Sequence, residues 1–161
     1  GSEMCIRDSS KTADVLHAEW LSVPFEAGKI EAISYKDGKE VARDARYTTG
    51  PAVTLRITAD RDEISADGYD LSFVTVEALD ANGREVPVAD DMLSFRVDGA
   101  GELFGIDNGN AADTLSLKGT RKALFSGKAL AVVRSVRGET GTATLTVSAP
   151  YATVKQNIRA R

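Results

Sequence analysis

The segment from Ile64 to Phe95, ISADGYDLSFVTVEALDANGREVPVADDMLSF, constrains the fold of this 161-residue chain more than any other. Its Asn82-Gly83 pair is a strong hairpin signal, because a type I′ turn needs positive φ at both central residues and these two residue types tolerate it best. Positions 71–79 before the pair are rich in apolar and β-branched residues, and apolar residues alternate with polar ones over positions 93–98 after it. The pattern predicts two strands joined by a tight turn, within a small all-β module.

A second pair of strands is predicted nearer the N-terminus. Residues 29–35 and 40–46 flank Asp37-Gly38, which is another type I′ candidate. The following Thr48-Thr49-Gly50-Pro51 interrupts the pattern, since the residue before proline is restricted to extended conformations and Gly50 permits a sharp change of direction. We therefore predict a domain boundary there, with one module over residues 12–49 and another over residues 50–161.

The second module is predicted to be an immunoglobulin-like β-sandwich of six or seven strands. Strand signals occur at residues 53–57, 129–136 and 142–148, while residues 99–110 look dominated by loops. Pro150 interrupts the last regular strand, and residues 154–158 are expected to add a short edge piece. Frequent turns between short strands are typical of such a sandwich.

The first module holds about three strands at most, which is fewer than a free-standing sandwich uses. Its apolar residues must be covered by the second module, by another chain, or remain poorly ordered. These residues are Trp20, Val23, Phe25, Ile30 and Ile33.

Composition excludes several classes of protein. The chain is 42% hydrophobic and 27% charged, as in globular proteins, and its net charge of −4 argues against nucleic-acid binding, which requires clustered Lys and Arg. No apolar run approaches the roughly 20 residues that cross a bilayer, so membrane insertion is not expected, and no secretory leader is evident.

The first residues do not look native. Residues 1–9, GSEMCIRDS, resemble the translation of a sequencing adapter, although a tag scar would explain Gly1-Ser2. We expect residues 1–11 to form a non-native or disordered leader that is not part of the fold. Cys5 lies within this leader, so neither a disulfide, a thiol nucleophile nor a zinc-thiolate site is predicted.

No residues with the pattern of a catalytic, cofactor or metal site stand out. The acidic residues cluster in predicted turns, where aspartate is common, and are expected to be solvated rather than catalytic: Asp60, Asp62, Glu63, Asp67 and Asp70. A single histidine, His17, cannot build a triad or a multi-histidine metal site. Asp107-Asn108-Gly109-Asn110 lacks the spacing of a calcium loop, and Gly99-Ala100-Gly101 precedes no helix that would hold phosphate.

Aromatic side chains are the remaining signal for sugar binding, because sugar rings stack on exposed aromatic faces. Large aromatics are mostly buried, so a core role is predicted for five of them: Trp20, Phe25, Phe73, Phe95 and Phe104. For the four tyrosines, both a core role and a role in carbohydrate contact remain open: Tyr35, Tyr47, Tyr69 and Tyr151.

Three segments carry a family resemblance. One is residues 64–95, and another is residues 20–44, which hold a Val-Pro-aromatic-Glu-x-Gly entry followed by YKDGKEV. The third is RKALFSGKAL at residues 121–130. Together they resemble the C-terminal immunoglobulin-like region of glycoside hydrolase family 2 enzymes of the β-galactosidase type, which is related to invasin-type modules. The third segment departs from the family's Arg-Lys-Ala-Phe-Asn-Gly pattern, because it has Leu124 before the aromatic residue and Ser126 before the glycine.

The resemblance implies that this chain is a non-catalytic accessory region of a retaining glycoside hydrolase. The two catalytic carboxyls of such enzymes lie on a barrel of about 250 residues, which this chain is too short to contain. The family's Asn-Glu acid/base dipeptide is also missing from the sequence. The expected partners are the catalytic and other domains of the parent chain, with weak glycan contact, no cofactor, and a periplasmic or extracellular location. The alternative is a spacer repeat of a bacterial surface adhesin.

Overall fold

The computed structural model describes residues 23–161 of the chain. Its contacts divide the chain into two compact units at Thr48 and Thr49. All regular structure within the described range is β-strand, as the sequence predicts. The leader 1–11, His17 and Trp20 lie outside the described residues.

The described part of the first unit is a single hairpin of β1 (Lys29–Lys36) and β2 (Lys39–Tyr47). Asp37 and Gly38 have φ values of 51° and 73°, the positive pair that a type I′ turn requires, so the predicted hairpin is confirmed. The open end is closed by two hydrogen bonds between Gly28 and Thr48. Phe25 is 84% exposed, so its predicted core role is wrong.

The second unit contains nine strands in two sheets. One sheet has the order β4-β11-β10-β6-β8 and the other β3-β5-β9-β7. All pairings are antiparallel except that of β11 with β4. The strands are β3 (Thr54–Ala59), β4 (Glu63–Ile64), β5 (Leu71–Leu79), β6 (Met92–Gly99), β7 (Gly101–Asp107), β8 (Arg121–Ala123), β9 (Lys128–Ser135), β10 (Gly141–Ser148) and β11 (Thr153–Ala160).

The core lies between these sheets, because alternate residues of each strand point inward. β5 and β9 contribute small and β-branched residues from one side, including Val74, Val76 and Val133. β6 and β10 contribute larger residues from the other, among them Phe95 and Leu145. The sandwich predicted for this region is confirmed, but it has nine strands where six or seven were predicted. Two of the nine, β4 and β8, have only two and three residues, too few to show an alternating pattern in the sequence.

The predicted hairpin around Asn82-Gly83 is wrong. β5 and β6 belong to different sheets, and only Gly83 of the pair has positive φ. The Asp80 carboxylate forms this turn by accepting hydrogen bonds from the amides of Asn82 and Arg84, at 2.8 and 2.9 Å. After the turn, the chain forms a single antiparallel bridge, between Leu79 and Glu85. Pro87 has no N–H and cannot extend this pairing, so the chain crosses to the other sheet.

The predicted loop region after Gly99 is also wrong in part, because residues 101–107 form β7. Two glycines weaken the strand pattern there, and a bulge between Leu103 and Gly105 breaks the alternation. The expected edge piece at 154–158 is a full eight-residue strand, β11, paired with β10 along its length.

Candidate functional site

The turn carboxylates are held by backbone amides. Asp67 Oδ1 accepts from the amides of Tyr69 and Asp70 at 2.8 and 2.9 Å, and these two hydrogen bonds lower the pKa of Asp67. Asp60 accepts from the amide of Phe73 at 2.8 Å, and Glu63 pairs with Arg161. Such contacts order turns, and these three carboxylates each have a structural partner.

The segment Asp107-Asn108-Gly109-Asn110 is a run of side-chain-to-backbone turns. Asp107 Oδ1 accepts from the amides of the next two residues, and Asn108 Oδ1 accepts from the amide of Asn110 at 3.0 Å. The Asn108 amide group donates to Asp113 and to the Ala123 carbonyl, each at 3.0 Å. Within residues 23–161, no group of three or more His, Cys, Asp and Glu side chains is arranged to hold a metal ion.

Gly99 and Gly101 serve close packing between strands. Gly99 has a φ of 87°, and a Cβ there would lie 2.1 Å from the Thr142 carbonyl oxygen. A Cβ at Gly101 would meet the Ala143 side chain at 2.7 Å. The two glycines therefore allow β6 to turn directly into β7 beside β10.

Lys122 is a buried cation that anchors the loop between β7 and β8. Its side chain is 1% exposed, and Nζ donates to the Leu115 carbonyl at 2.7 Å and pairs with Asp113 at 3.2 Å. The pKa of Asp113 is lowered, first by the Leu115 amide and then, against the effect of burial, by Lys122. Sequence reasoning missed this role, since lysine is rarely buried unless it is paired.

Four charged side chains form a network on the outer surface of the four-stranded sheet. Glu77 accepts from Arg56 at 2.7 Å and from Lys128 at 2.6 Å, and Glu85 contacts the same two cations at 2.6 and 3.1 Å. The Arg56 hydrogen bond, with help from Lys128 and against desolvation, lowers the pKa of the nearly buried Glu77 from 4.5 to about 2. The network joins β3, β5 and β9 and is a structural feature.

The aromatic residues have divided roles. Phe95 is in the core as predicted, whereas Phe73 is 42% exposed and its predicted core role is wrong. Phe104 is half-buried, with Lys118 Nζ 3.4 Å and Arg134 Cζ 4.3 Å from its ring centroid. Burial, with a contribution from Asp91, raises the pKa of the half-buried Tyr151 to about 12.

The remaining tyrosine of the sandwich borders a shallow surface depression of about 390 Å³. Tyr69 is 72% exposed, and Arg137 Cζ lies 5.2 Å from the centroid of its ring. The depression is lined by Gly68, Tyr69, Glu102, Arg134, Ser135, Val136 and Arg137. Sequence reasoning named Tyr69 as an open candidate but missed the arginines, whose position beside it depends on the packing of two loops.

No helix that is long and apolar enough to cross a membrane occurs in the part of the chain that the structure describes. The fold defines an immunoglobulin-like sandwich module, in which several carboxylates are engaged in turns and ion pairs.

Comparison with known proteins gives the family. Residues 55–156 match the model of "Glycoside hydrolase family 2 C-terminal domain 5", and residues 6–42 match a domain of unknown function (DUF4982). The chain belongs to this family of glycoside hydrolase family 2 C-terminal domains, which confirms the resemblance seen in the sequence.

The similar proteins are much longer than this chain. A β-galactosidase of Bacteroides ovatus is 41% identical over 138 residues, which cover 86% of this chain and 16% of that protein. A crystal structure of a glycosyl hydrolase family 2 member from Bacteroides cellulosilyticus has a TM-score of 0.83 at 30% identity, covering 86% of this chain and 18% of the other. A β-glycosidase structure from Bacteroides vulgatus has a TM-score of 0.77 at 31% identity, covering 85% of this chain and 18% of that protein. The chain thus spans less than a fifth of the length of these relatives.

Proposed function

We propose that this chain is a non-catalytic accessory region of a β-galactosidase-like glycoside hydrolase that uses a retaining mechanism. The observation that carries the proposal is the match of residues 55–156 to a C-terminal domain of glycoside hydrolase family 2. Two relatives are named as β-galactosidases, and this chain matches only 16% and 14% of their lengths. This supports a longer parent protein that hydrolyses glycosides.

The surface of the second unit supports a structural role. Retaining hydrolysis needs two carboxyl groups about 5 Å apart on either side of a sugar. Glu77 and Glu85, two neighbouring carboxylates of the described sandwich, share the same two cations, and this arrangement cross-links strands. The module therefore acts by packing against, spacing or supporting the catalytic domain.

We also propose weak contact with glycans and a periplasmic or extracellular location. Glycan contact is supported by the exposed ring of Tyr69 beside its depression. The location is supported by the family resemblance, and fractionation of cells expressing the complete gene would test it.

Activity measurements test the non-catalytic role. The 161-residue chain is expected to leave p-nitrophenyl β-galactoside intact, while the complete parent protein hydrolyses it. Turnover by the isolated chain at a rate near that of the parent would overturn the proposal. So would a complete gene that encodes only further immunoglobulin-like repeats, which is the arrangement expected of the adhesin alternative.

A further inference from the structure

The depression beside Tyr69 places an exposed aromatic ring next to an arginine side chain. We propose that Tyr69 and Arg137 together bind a sugar unit that carries a carboxylate, as in a hexuronic acid. The inference rests on the glycan contact included in the proposed function, and it names the site and the class of ligand.

Two loops form a rigid base for this site. The amide of Gly68 donates to Ser135 Oγ at 3.1 Å, and the amide of Ser135 donates to the Asp70 carbonyl at 3.1 Å. A third hydrogen bond, of 2.8 Å, joins the amide of Gly138 to the carbonyl of Ala66. Residues 65–70 and 135–138 are therefore fixed to each other, and the side chains they carry are preorganised for a ligand.

The Tyr69 ring projects from this base toward solvent and does not pack into the core. Asp67 accepts hydrogen bonds from the amides of Tyr69 and Asp70, which fixes the backbone from which the ring projects. With 72% of the residue exposed, the ring offers apolar area to a ligand at small conformational cost. The C–H face of a sugar ring matches such a surface in size and polarity.

Arg137 supplies the preference for a negative charge. Its guanidinium lies against the Tyr69 ring and makes no ion pair within residues 23–161, whereas Arg134 on the same depression is paired with Glu102 at 2.7 Å. The Glu102 charge is thereby neutralised, and the depression retains one unpaired positive charge. A guanidinium binds a carboxylate through two parallel hydrogen bonds, a geometry that a neutral sugar cannot provide.

The test is a titration of the 161-residue chain followed by ¹H–¹⁵N NMR. The probes are trigalacturonic acid and neutral galactotriose. They differ at C6 of each sugar unit, which is a carboxylate in the acid and a hydroxymethyl group in the neutral sugar. Trigalacturonic acid is expected to shift the amides of residues 66–70 and 135–138 with a dissociation constant of about 1 mM, and galactotriose to bind at least about tenfold more weakly. Added salt should weaken binding of the acidic probe but not of the neutral one, since the selective contact is ionic.

Substitutions assign the site to its two side chains. Arg137→Gln and Tyr69→Ala should each weaken binding of trigalacturonic acid by about tenfold. Arg137→Lys keeps the charge without the planar fork and should give an intermediate loss. Tyr35→Ala, which removes a comparably exposed tyrosine (63%) from the first unit, should leave binding unchanged.

The outcomes separate this inference from the proposed function. Absence of shifts up to about 10 mM probe, shifts that map elsewhere, or equal binding of the neutral probe would each overturn the site while leaving the accessory role intact. Cleavage of p-nitrophenyl β-galactoside by the chain would instead overturn the non-catalytic role.

Discussion

Glu77 on β5 lies directly opposite Lys128 on β9, and Glu77 Oε1 is 2.6 Å from Lys128 Nζ. The same carboxylate accepts a hydrogen bond from Arg56 on β3, so one nearly buried acid joins three neighbouring strands. Glu85 contacts both cations from the more exposed side of the network.

Replacing this acid should cost more stability than replacing its exposed counterpart. We expect Glu77→Gln to lower the free energy of unfolding by about 1–3 kcal/mol, because two cations lose a nearly buried partner. The matched control Glu85→Gln should cost at most about 1 kcal/mol, since its side chain is half-exposed and screened. Urea unfolding of the 161-residue chain at neutral pH measures both, and equal losses would contradict the distinction.

The same residue predicts an acid-dependent loss of stability. Folding lowers the pKa of Glu77 from 4.5 to about 2, so its stabilising contribution is complete above the unfolded value and declines as the pH falls from about 4.5 to 2. We expect up to about 3 kcal/mol to be lost over this interval, reduced by the solvent around the half-exposed cations. The gap in unfolding free energy between wild type and Glu77→Gln should close across that range, and a constant gap would exclude Glu77 as its cause.

Lys122 should be necessary for the loop between β7 and β8. Lys122→Met fills a similar volume but leaves the Leu115 carbonyl and the Asp113 carboxylate without their buried cation, at an expected cost of about 2–4 kcal/mol. Lys118→Met is the control, because Lys118 donates to the Phe104 carbonyl from an exposed position, and we expect a loss below about 1 kcal/mol. Thermal unfolding followed by circular dichroism would compare them, and equal losses would show that burial of the cation does not decide the cost.

Gly127 should tolerate substitution less well than a glycine that has positive φ but open space around its Cα. Its φ is 74°, and a Cβ would lie 2.3 Å from the Val86 carbonyl oxygen, which is backbone and has little freedom to move. We expect Gly127→Ala to cost at least about 3 kcal/mol. Gly83 has a φ of 73° and no atom within 4 Å of its added Cβ, so Gly83→Ala should cost only about 1–2 kcal/mol. Similar losses in urea unfolding would contradict the steric argument.

Local signals in the sequence identified much of the fold, and the failures have physical causes. The Asp37-Gly38 turn was predictable because both residues tolerate positive φ and the flanking strands pair locally. The Asn82-Gly83 prediction failed because the Asp80 side chain and Pro87, both outside the pair, decide where the chain goes next. β7 was missed because its glycines serve close packing that periodicity does not reveal.

The candidate site was less predictable than the fold. Tyr69 stood out by residue type, but its exposure and its pairing with Arg137 depend on hydrogen bonds between loops about 70 residues apart in sequence. Nothing in the local sequence distinguishes Arg137, which has no ion pair within residues 23–161, from Arg134, which is paired with Glu102. That difference arises only when β7 and β9 pair.

The turn at Ser126-Gly127 offers a stabilising substitution. Ser126 and Gly127 have φ values of 52° and 74°, and Phe125 and Lys128 bond to each other on either side, so this is a two-residue hairpin of the type that favours Asn-Gly. Ser126 is exposed, and serine tolerates positive φ less well than asparagine does. We expect Ser126→Asn to raise the free energy of unfolding by about 0.3–1 kcal/mol and Ser126→Ala to give no gain. Urea unfolding of the three chains in parallel measures the difference, and a less stable Ser126→Asn chain would show that the serine hydroxyl contributes more to this turn than its backbone conformation costs.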